Sequence, residues 1–199
     1  TDVIKGIHWF LGDERWVPSS DSESNFKSVR EYLLSKINPP ADHVYSWHAC
    51  EKEQYKCAND YQSLIEKHFH GSKGADILLL GMGDDGHTAS LFPGGETLLP
   101  EGEFGQLSPD IPQSAIAVYV KKMKTWRLTL TPRFINKAAY IIFLISGNKK
   151  KESFRKVLDG DMSLPASWIS GKNVFYFVTK DLVQNLKQNL TGKCVFREM

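Results

Sequence analysis

The chain has 199 residues, 41% of them apolar, which fits one domain with a sizeable core. Its 25 Lys and Arg nearly balance 23 Asp and Glu, a formal net charge of +2 that gives no electrostatic case for nucleic acid or an acidic membrane, and no apolar run approaches the ~18 residues of a membrane span. Three cysteines (Cys50, Cys57 and Cys194), an odd number without CxxC spacing, argue against a disulfide framework or a structural zinc site and for reduced thiols in a cytoplasmic setting.

In chain order, Ile7 to Leu11 reads as a short buried strand ending at Gly12, and Pro18 to Ser24 as a loop. Phe26, Val29, Leu33 and Ile37 recur at helical spacing until Pro39-Pro40 stops them. Val44 to Trp47 suits a short strand. Cys57, Ala58, Tyr61, Leu64, Ile65 and Phe69 form the apolar face of a helix that ends by Gly71 to Gly74. Ala75 to Leu80 is short, continuous and apolar, the profile of a central parallel strand covered on both faces. Gly94 to Pro112 has no period and is expected to be a long surface loop. Ala115 to Val120 and Arg127 to Thr131 are strand-like, Phe134 to Ala139 a short helix, and Tyr140 to Ile145 a second buried strand. A helix from about Lys149 to Leu158, a strand at Val174 to Val178 and an amphipathic helix through Leu182, Val183, Leu186 and Leu190 close the chain. Strands alternating with helices imply an α/β class with a largely parallel sheet.

The most informative stretch is Ile77 to Gly94. A buried strand empties into Gly81-Met82-Gly83-Asp84-Asp85-Gly86-His87, so a carboxylate and an imidazole stand at the carboxyl end of a strand, where α/β sheets build their sites. Gly81 to Gly86 formally fits the dinucleotide pattern G-x-G-x-x-G. The acids near the required distance, Glu101 and Glu103, lie in a Gly/Pro-rich segment, however, and an acidic pair in the turn would repel a pyrophosphate. A plain glycine turn with solvated acids and a structural histidine is the other alternative. His87 suits proton transfer near neutral pH, with Asp85 to orient it. Gly12-Asp13-Glu14-Arg15 ends the first strand, Arg127 lies in an alternating strand, and Gly147-Asn148-Lys149-Lys150 follows the strand at 140–145. Each is an ordinary surface feature alone; together, cations at several strand ends suggest an anionic substrate. His8, His43, His48, His68 and His70 lack metal-ligand spacing, and no Gly-x-Ser-x-Gly elbow surrounds Ser90, which favours activated water over covalent catalysis.

These segments resemble the 6-phosphogluconolactonase family. The resemblance rests on Gly12 to Pro18 with Ser24-Asn25, on Gly81-Met82-Gly83-Asp84-Asp85-Gly86-His87-Thr88-Ala89-Ser90-Leu91-Phe92-Pro93, on Arg127-Leu128-Thr129-Leu130-Thr131, on Gly147 to Lys150, and on Leu164-Pro165-Ala166, all in family order. The related glucosamine-6-phosphate deaminases carry Ile-Ala-Phe-Asn-Glu-Pro where this chain has Thr88 to Pro93. The resemblance implies a Rossmann-like three-layer α/β/α fold with a mainly parallel sheet, in a single domain over residues 1–199. It implies cofactor-free, metal-independent hydrolysis of 6-phospho-D-glucono-1,5-lactone to 6-phospho-D-gluconate. By analogy His87 is the base and Asp85 its partner, with Asp13, Arg15, Asn25, Gly83, Arg127 and Lys150 binding substrate.

One departure accompanies the resemblance. The family begins with a strand, a helix and a Ser-Gly-Gly-Ser/Thr-like phosphate loop, whereas only eleven residues precede Gly12. The expectation is a domain without its N-terminal strand–helix unit, with room for a fused or associated glucose-6-phosphate dehydrogenase upstream. The alternatives are a sugar-phosphate-binding fragment without turnover and a deaminase or isomerase.

Overall fold

A computed structural model describes residues 2–69, 74–98 and 104–183. The N-terminal part runs through helix α1 (Asp2–Lys5), strands β1 (Trp9–Phe10) and β2 (Asp13–Arg15), helix α2 (Asn25–Val29), a π-helical turn (Arg30–Leu34), helix α3 (Ser35–Ile37) and strand β3 (Val44–Tyr45). Ser24 caps α2 by accepting a hydrogen bond from the Lys27 amide, and Asn38, left-handed at φ 44°, ends α3 just before the two prolines. Helix α4 (Gln54–His68) buries Cys57, Ala58, Tyr61 and Ile65, the face that the helical spacing predicts. Strand β4 (Ile77–Leu80) leads into the glycine block.

Beyond that block come β5 (Glu96–Leu98), β6 (Phe104–Gln106), β7 (Ala115–Val120) and β8 (Thr125–Leu130). Helix α5 (Pro132–Ile135), strand β9 (Tyr140–Ile145), helix α6 (Lys151–Leu158), strand β10 (Val174–Val178) and helix α7 (Lys180–Val183) follow. The parallel pairs are β1 with β3, and β4 with β9 with β10. The α/β class and its parallel strands are those the alternation predicts. A five-stranded antiparallel sheet, in the order β2-β8-β7-β5-β6, stands beside them.

Two expectations are corrected. The segment expected to be a long loop after Gly94 contains β5 and β6. These strands lack an apolar alternation and are held by backbone pairing of β5 with β7 and of β6 with β5, together with the buried Thr97 hydroxyl, which donates to the Ala117 carbonyl at 3.0 Å. Strand β4 is covered on one face only: Leu78 and Leu80 are buried, while Ile77 and Leu79 are 61% and 63% exposed. The last part of the expected closing helix, with Leu186 and Leu190, lies outside the described residues.

The core sits on the buried face of β4 and β9, where Phe143 and Ile145 are fully enclosed, and continues between α4 and the antiparallel sheet. Trp47 stacks on Tyr61 with ring centroids 3.8 Å apart, and both side chains donate to the Leu11 carbonyl, at 3.0 and 2.9 Å. That carbonyl belongs to the residue before Gly12, so α4 fixes the strand end that carries Asp13. Among the described residues no helix is long and apolar enough to cross a membrane.

Phe143→Ala should cost about 3–5 kcal/mol, since it opens a cavity among enclosed side chains. Tyr61→Phe should cost only about 1 kcal/mol, because Trp47 still donates to Leu11. Urea unfolding of the two variants checks this; equal losses would contradict the assignment of Phe143 to the core.

Candidate active site

The glycine block folds as two successive tight turns. In the first, Gly83 donates to the His87 carbonyl at 2.9 Å and Gly86 donates to the Gly83 carbonyl at 3.1 Å. Gly86 adopts φ 78°, a conformation L side chains rarely take, and its carbonyl accepts from the Ala166 amide at 3.0 Å. This contact gives Leu164-Pro165-Ala166 its structural part: the segment braces the glycine turn from outside. In the second turn Leu91 donates to the Thr88 carbonyl at 2.9 Å, with Ala89 at φ 47°. The Thr88 hydroxyl ties this turn back to the Gly81 carbonyl at 2.8 Å.

The turns bring Asp85 and His87 together. Oδ1 of Asp85 lies 2.6 Å from Nδ1 of His87 and also accepts from the His87 amide at 3.2 Å. Burial pushes the Asp85 carboxyl up, but the hydrogen bonds from the His87 ring and amide, and the charge of that ring, outweigh it and hold the group below its ordinary value. An ionised carboxylate only accepts, so in the neutral ring it is Nδ1 that carries the proton and Nε2 that has the lone pair. The His87 side chain is about one-third exposed. Such an arrangement is chemically suited to proton transfer, the neighbouring acid selecting the tautomer of the imidazole.

Gly83 packs directly against the His87 ring. A Cβ at this position would overlap Nδ1 and Cε1 of the His87 ring. The imidazole therefore lies against bare backbone, and a side chain at this position would force the ring aside.

The other face of the site comes from the antiparallel sheet. Strand β2 pairs with β8 so that Asp13 faces Thr129 and Arg15 faces Arg127, all four on one side. Asp13 connects this sheet to the glycine block: its Oδ2 accepts from the Ser90 hydroxyl at 2.7 Å, while Oδ1 accepts from Asn25 at 3.1 Å. The Ser90 amide donates to the Thr129 hydroxyl at 3.1 Å. Burial raises the Asp13 carboxyl pKa, opposed by the Ser90 hydrogen bond and the Arg15 charge. Asp13 and Asn25 thus brace the junction between the antiparallel sheet and the glycine block.

Arg15 is anchored by the Glu23 carbonyl, and Arg127 by the Trp126 carbonyl at 3.2 Å. Burial and the Arg15 charge lower the Arg127 pKa, so each guanidinium is held in the field of the other. Two partly exposed guanidiniums in one cross-strand pair suit a phosphate or carboxylate. Lys150 lies on the turn after β9, whose parallel pairing with β4 puts it at the same end of the sheet as the glycine block. It makes no hydrogen bond to Asp13, Asp85 or His87 among the described residues.

Sequence reasoning missed Glu14 and Phe92. The Glu14 side chain, nearly fully buried, accepts from the amides of Arg15 and Asn25 at 2.7 Å, from the Phe26 amide at 2.8 Å and from the Ser24 hydroxyl at 3.0 Å. It fastens the start of α2 to β2, a role the tetrapeptide Gly-Asp-Glu-Arg does not distinguish from a surface ion pair. The Phe92 ring stacks on His87 with centroids 4.2 Å apart and planes 26° apart. Their five-residue separation carries no periodic signal.

Because its folded-state pKa is lowered, the Asp85 pair contributes stability above the ordinary carboxylate range and loses it as pH falls through the lowered midpoint. The Asp85 carboxyl, followed by carbon-13 NMR, should titrate below 3.8. The midpoint should rise in His87→Ala, where burial persists without its donor; an unchanged midpoint would contradict the pairing. Gly83→Ala should displace the imidazole and lower turnover by about 100-fold or more, since a 1 Å misplacement costs that much. Wild-type turnover in Gly83→Ala would contradict the packing of His87 on Gly83.

Comparison with known proteins agrees with this geometry. The family model described as glucosamine-6-phosphate isomerases/6-phosphogluconolactonase matches residues 3–177. A 6-phosphogluconolactonase of Thermotoga maritima is 33% identical over 178 residues, covering 87% of this chain and 72% of the relative. One from Rattus norvegicus is 35% identical over 166 residues, covering 81% of this chain and 61% of the relative. The chain thus spans between three-fifths and three-quarters of the length of these two proteins. A crystal structure of the Thermotoga maritima 6-phosphogluconolactonase superposes with a TM-score of 0.73 at 30% identity, covering 88% of this chain and 74% of that one. Since the family match takes in every residue of the site, the chain belongs to the glucosamine-6-phosphate isomerase/6-phosphogluconolactonase family, on its lactonase side.

Proposed function

We propose that the chain hydrolyses 6-phospho-D-glucono-1,5-lactone to 6-phospho-D-gluconate, with His87 as the general base. The observation that carries this reading is the 2.6 Å contact between Asp85 and Nδ1 of His87 at the carboxyl end of a parallel strand. The lactone named by the relatives is an ester carrying a phosphate, which suits a base with two arginines beside it.

Nε2 takes a proton from water as the water oxygen bonds to the C1 carbonyl carbon. The carbonyl electrons move onto oxygen, giving a tetrahedral oxyanion. When that oxyanion collapses, the bond from C1 to the ring oxygen breaks. The imidazolium returns its proton to the departing ring oxygen, leaving the open-chain acid. A δ-lactone is already a reactive ester, so an oriented base and a positioned water suffice. Arg15, Arg127 and Lys150 bind the phosphate or the developing oxyanion. Asp13 and Asn25 hold the wall that carries Arg15.

The setting we propose is cytoplasmic, in the oxidative pentose phosphate pathway. Cys50 and Cys57 are free thiols, which fits a reducing compartment. A lactone of this kind arises when the C1 hemiacetal of a sugar phosphate is oxidised. The reaction that supplies the substrate is therefore a dehydrogenation, and a fused or associated glucose-6-phosphate dehydrogenase is the partner this chemistry favours.

Acid release from freshly made lactone tests the proposal on the 199-residue chain. The expected rate exceeds spontaneous hydrolysis, and His87→Ala should fall by about 100- to 10,000-fold, the usual contribution of a general base. Sugar-phosphate binding without acceleration would favour a binding fragment, and ammonia release from glucosamine 6-phosphate would favour a deaminase.

A further inference from the structure

We infer that Phe92 is a positioning residue for His87, fixing the plane of the imidazole from which the proposed base works. The inference rests on the reading of His87 as base and extends it to a residue outside the charged groups.

A single hydrogen bond fixes one point of a ring and leaves it free to tilt about the donor–acceptor axis. Asp85 supplies that point at Nδ1. Gly83 supplies a backbone surface along the Nδ1–Cε1 edge. Neither sets the tilt of the plane. The Phe92 ring does so, lying over one imidazole face with centroids 4.2 Å apart. The three contacts engage the Nδ1–Cε1 edge and a face of the ring, and none of them uses Nε2. When His87 takes a proton, the resulting imidazolium lies against the phenyl π-face, a favourable partner for a cation.

The local chain path serves this placement. Ala89 adopts a left-handed conformation at φ 47°, which costs an L residue about 1–2 kcal/mol. The turn it permits joins Thr88 to Leu91 and reverses the chain. The reversal sends Ser90 to Asp13 and Thr129, drops Leu91 fully into the core, and carries Phe92 back over the imidazole. Leu91 is the packing anchor of the turn. Phe92, only partly buried, packs against the edge of the core and lays its ring on the imidazole.

Phe92→Leu keeps apolar bulk and removes the flat ring. The expected result is a kcat lower by about 10- to 100-fold, the cost of misorienting a reacting group, with KM unchanged within about twofold and an unaltered unfolding midpoint. Phe92→Tyr, which restores the ring, should recover kcat. In proton NMR the His87 ring protons of the wild type should carry an upfield ring-current shift that Phe92→Leu loses and Phe92→Tyr keeps. Wild-type kcat in Phe92→Leu, with turnover lost in His87→Ala, would overturn this inference and leave the base intact. A kcat loss accompanied by a lower unfolding midpoint and no recovery in Phe92→Tyr would overturn it in favour of simple packing. Full turnover in His87→Ala, or none in the wild type, would remove the base reading and this inference together.

Discussion

The carboxylate of Asp13 is the joint on which this molecule turns. It sits on β2 of the antiparallel sheet and accepts from Ser90 of the glycine block and from Asn25 at the start of α2. Three parts of the chain far apart in sequence are thereby tied at one side chain. This tie joins the segment that carries Asp85 and His87 to the sheet that carries Arg15 and Arg127. Carboxylates bonded in this way, in partly buried surroundings, are costly to leave unpaired. Glu14 reinforces the joint from the opposite side of the strand, and the alternation along β2 lets neighbouring acids serve two layers.

Within that frame the site is built by close approach. Gly83 admits the imidazole onto the backbone, Gly86 turns the chain under the brace of Ala166, and Ala89 accepts a strained φ so that Ser90 and Phe92 reach their partners. The charges are then arranged in sequence. An anionic Asp85 holds the base in one tautomer, and two arginines stand where an anion would be bound. This division suits a substrate with a reactive carbonyl at one end and a phosphate at the other.

Much of this was legible in the amino-acid order. Buried strands running into glycines located the ends of β4 and β9, and helical spacing gave the buried face of α4. Asp85 and His87 were readable because two residues in one glycine turn must lie close together. The antiparallel sheet was less legible. Strands β5 and β6 are paired by backbone and carry no apolar alternation, so their segment resembles a loop. The exposed face of β4 was also hidden, since a continuous apolar run looks the same whether one face or both are covered. The internal contacts of Asp13, Asn25 and Gly83 were hidden for a related reason. Composition identifies a carboxylate, an amide or a glycine, but only tertiary packing determines whether it faces substrate or supports a neighbour.

The central claim is that Asp85 holds His87 in the tautomer whose Nε2 accepts a proton, and Asp85→Asn tests it most directly. An amide nitrogen in place of the carboxylate would donate to Nδ1, moving the ring proton to Nε2 and blocking the base without emptying the space. The account predicts an undisturbed fold and a kcat for lactone hydrolysis lower by about 100- to 10,000-fold. A folded Asp85→Asn variant with wild-type kcat would contradict it.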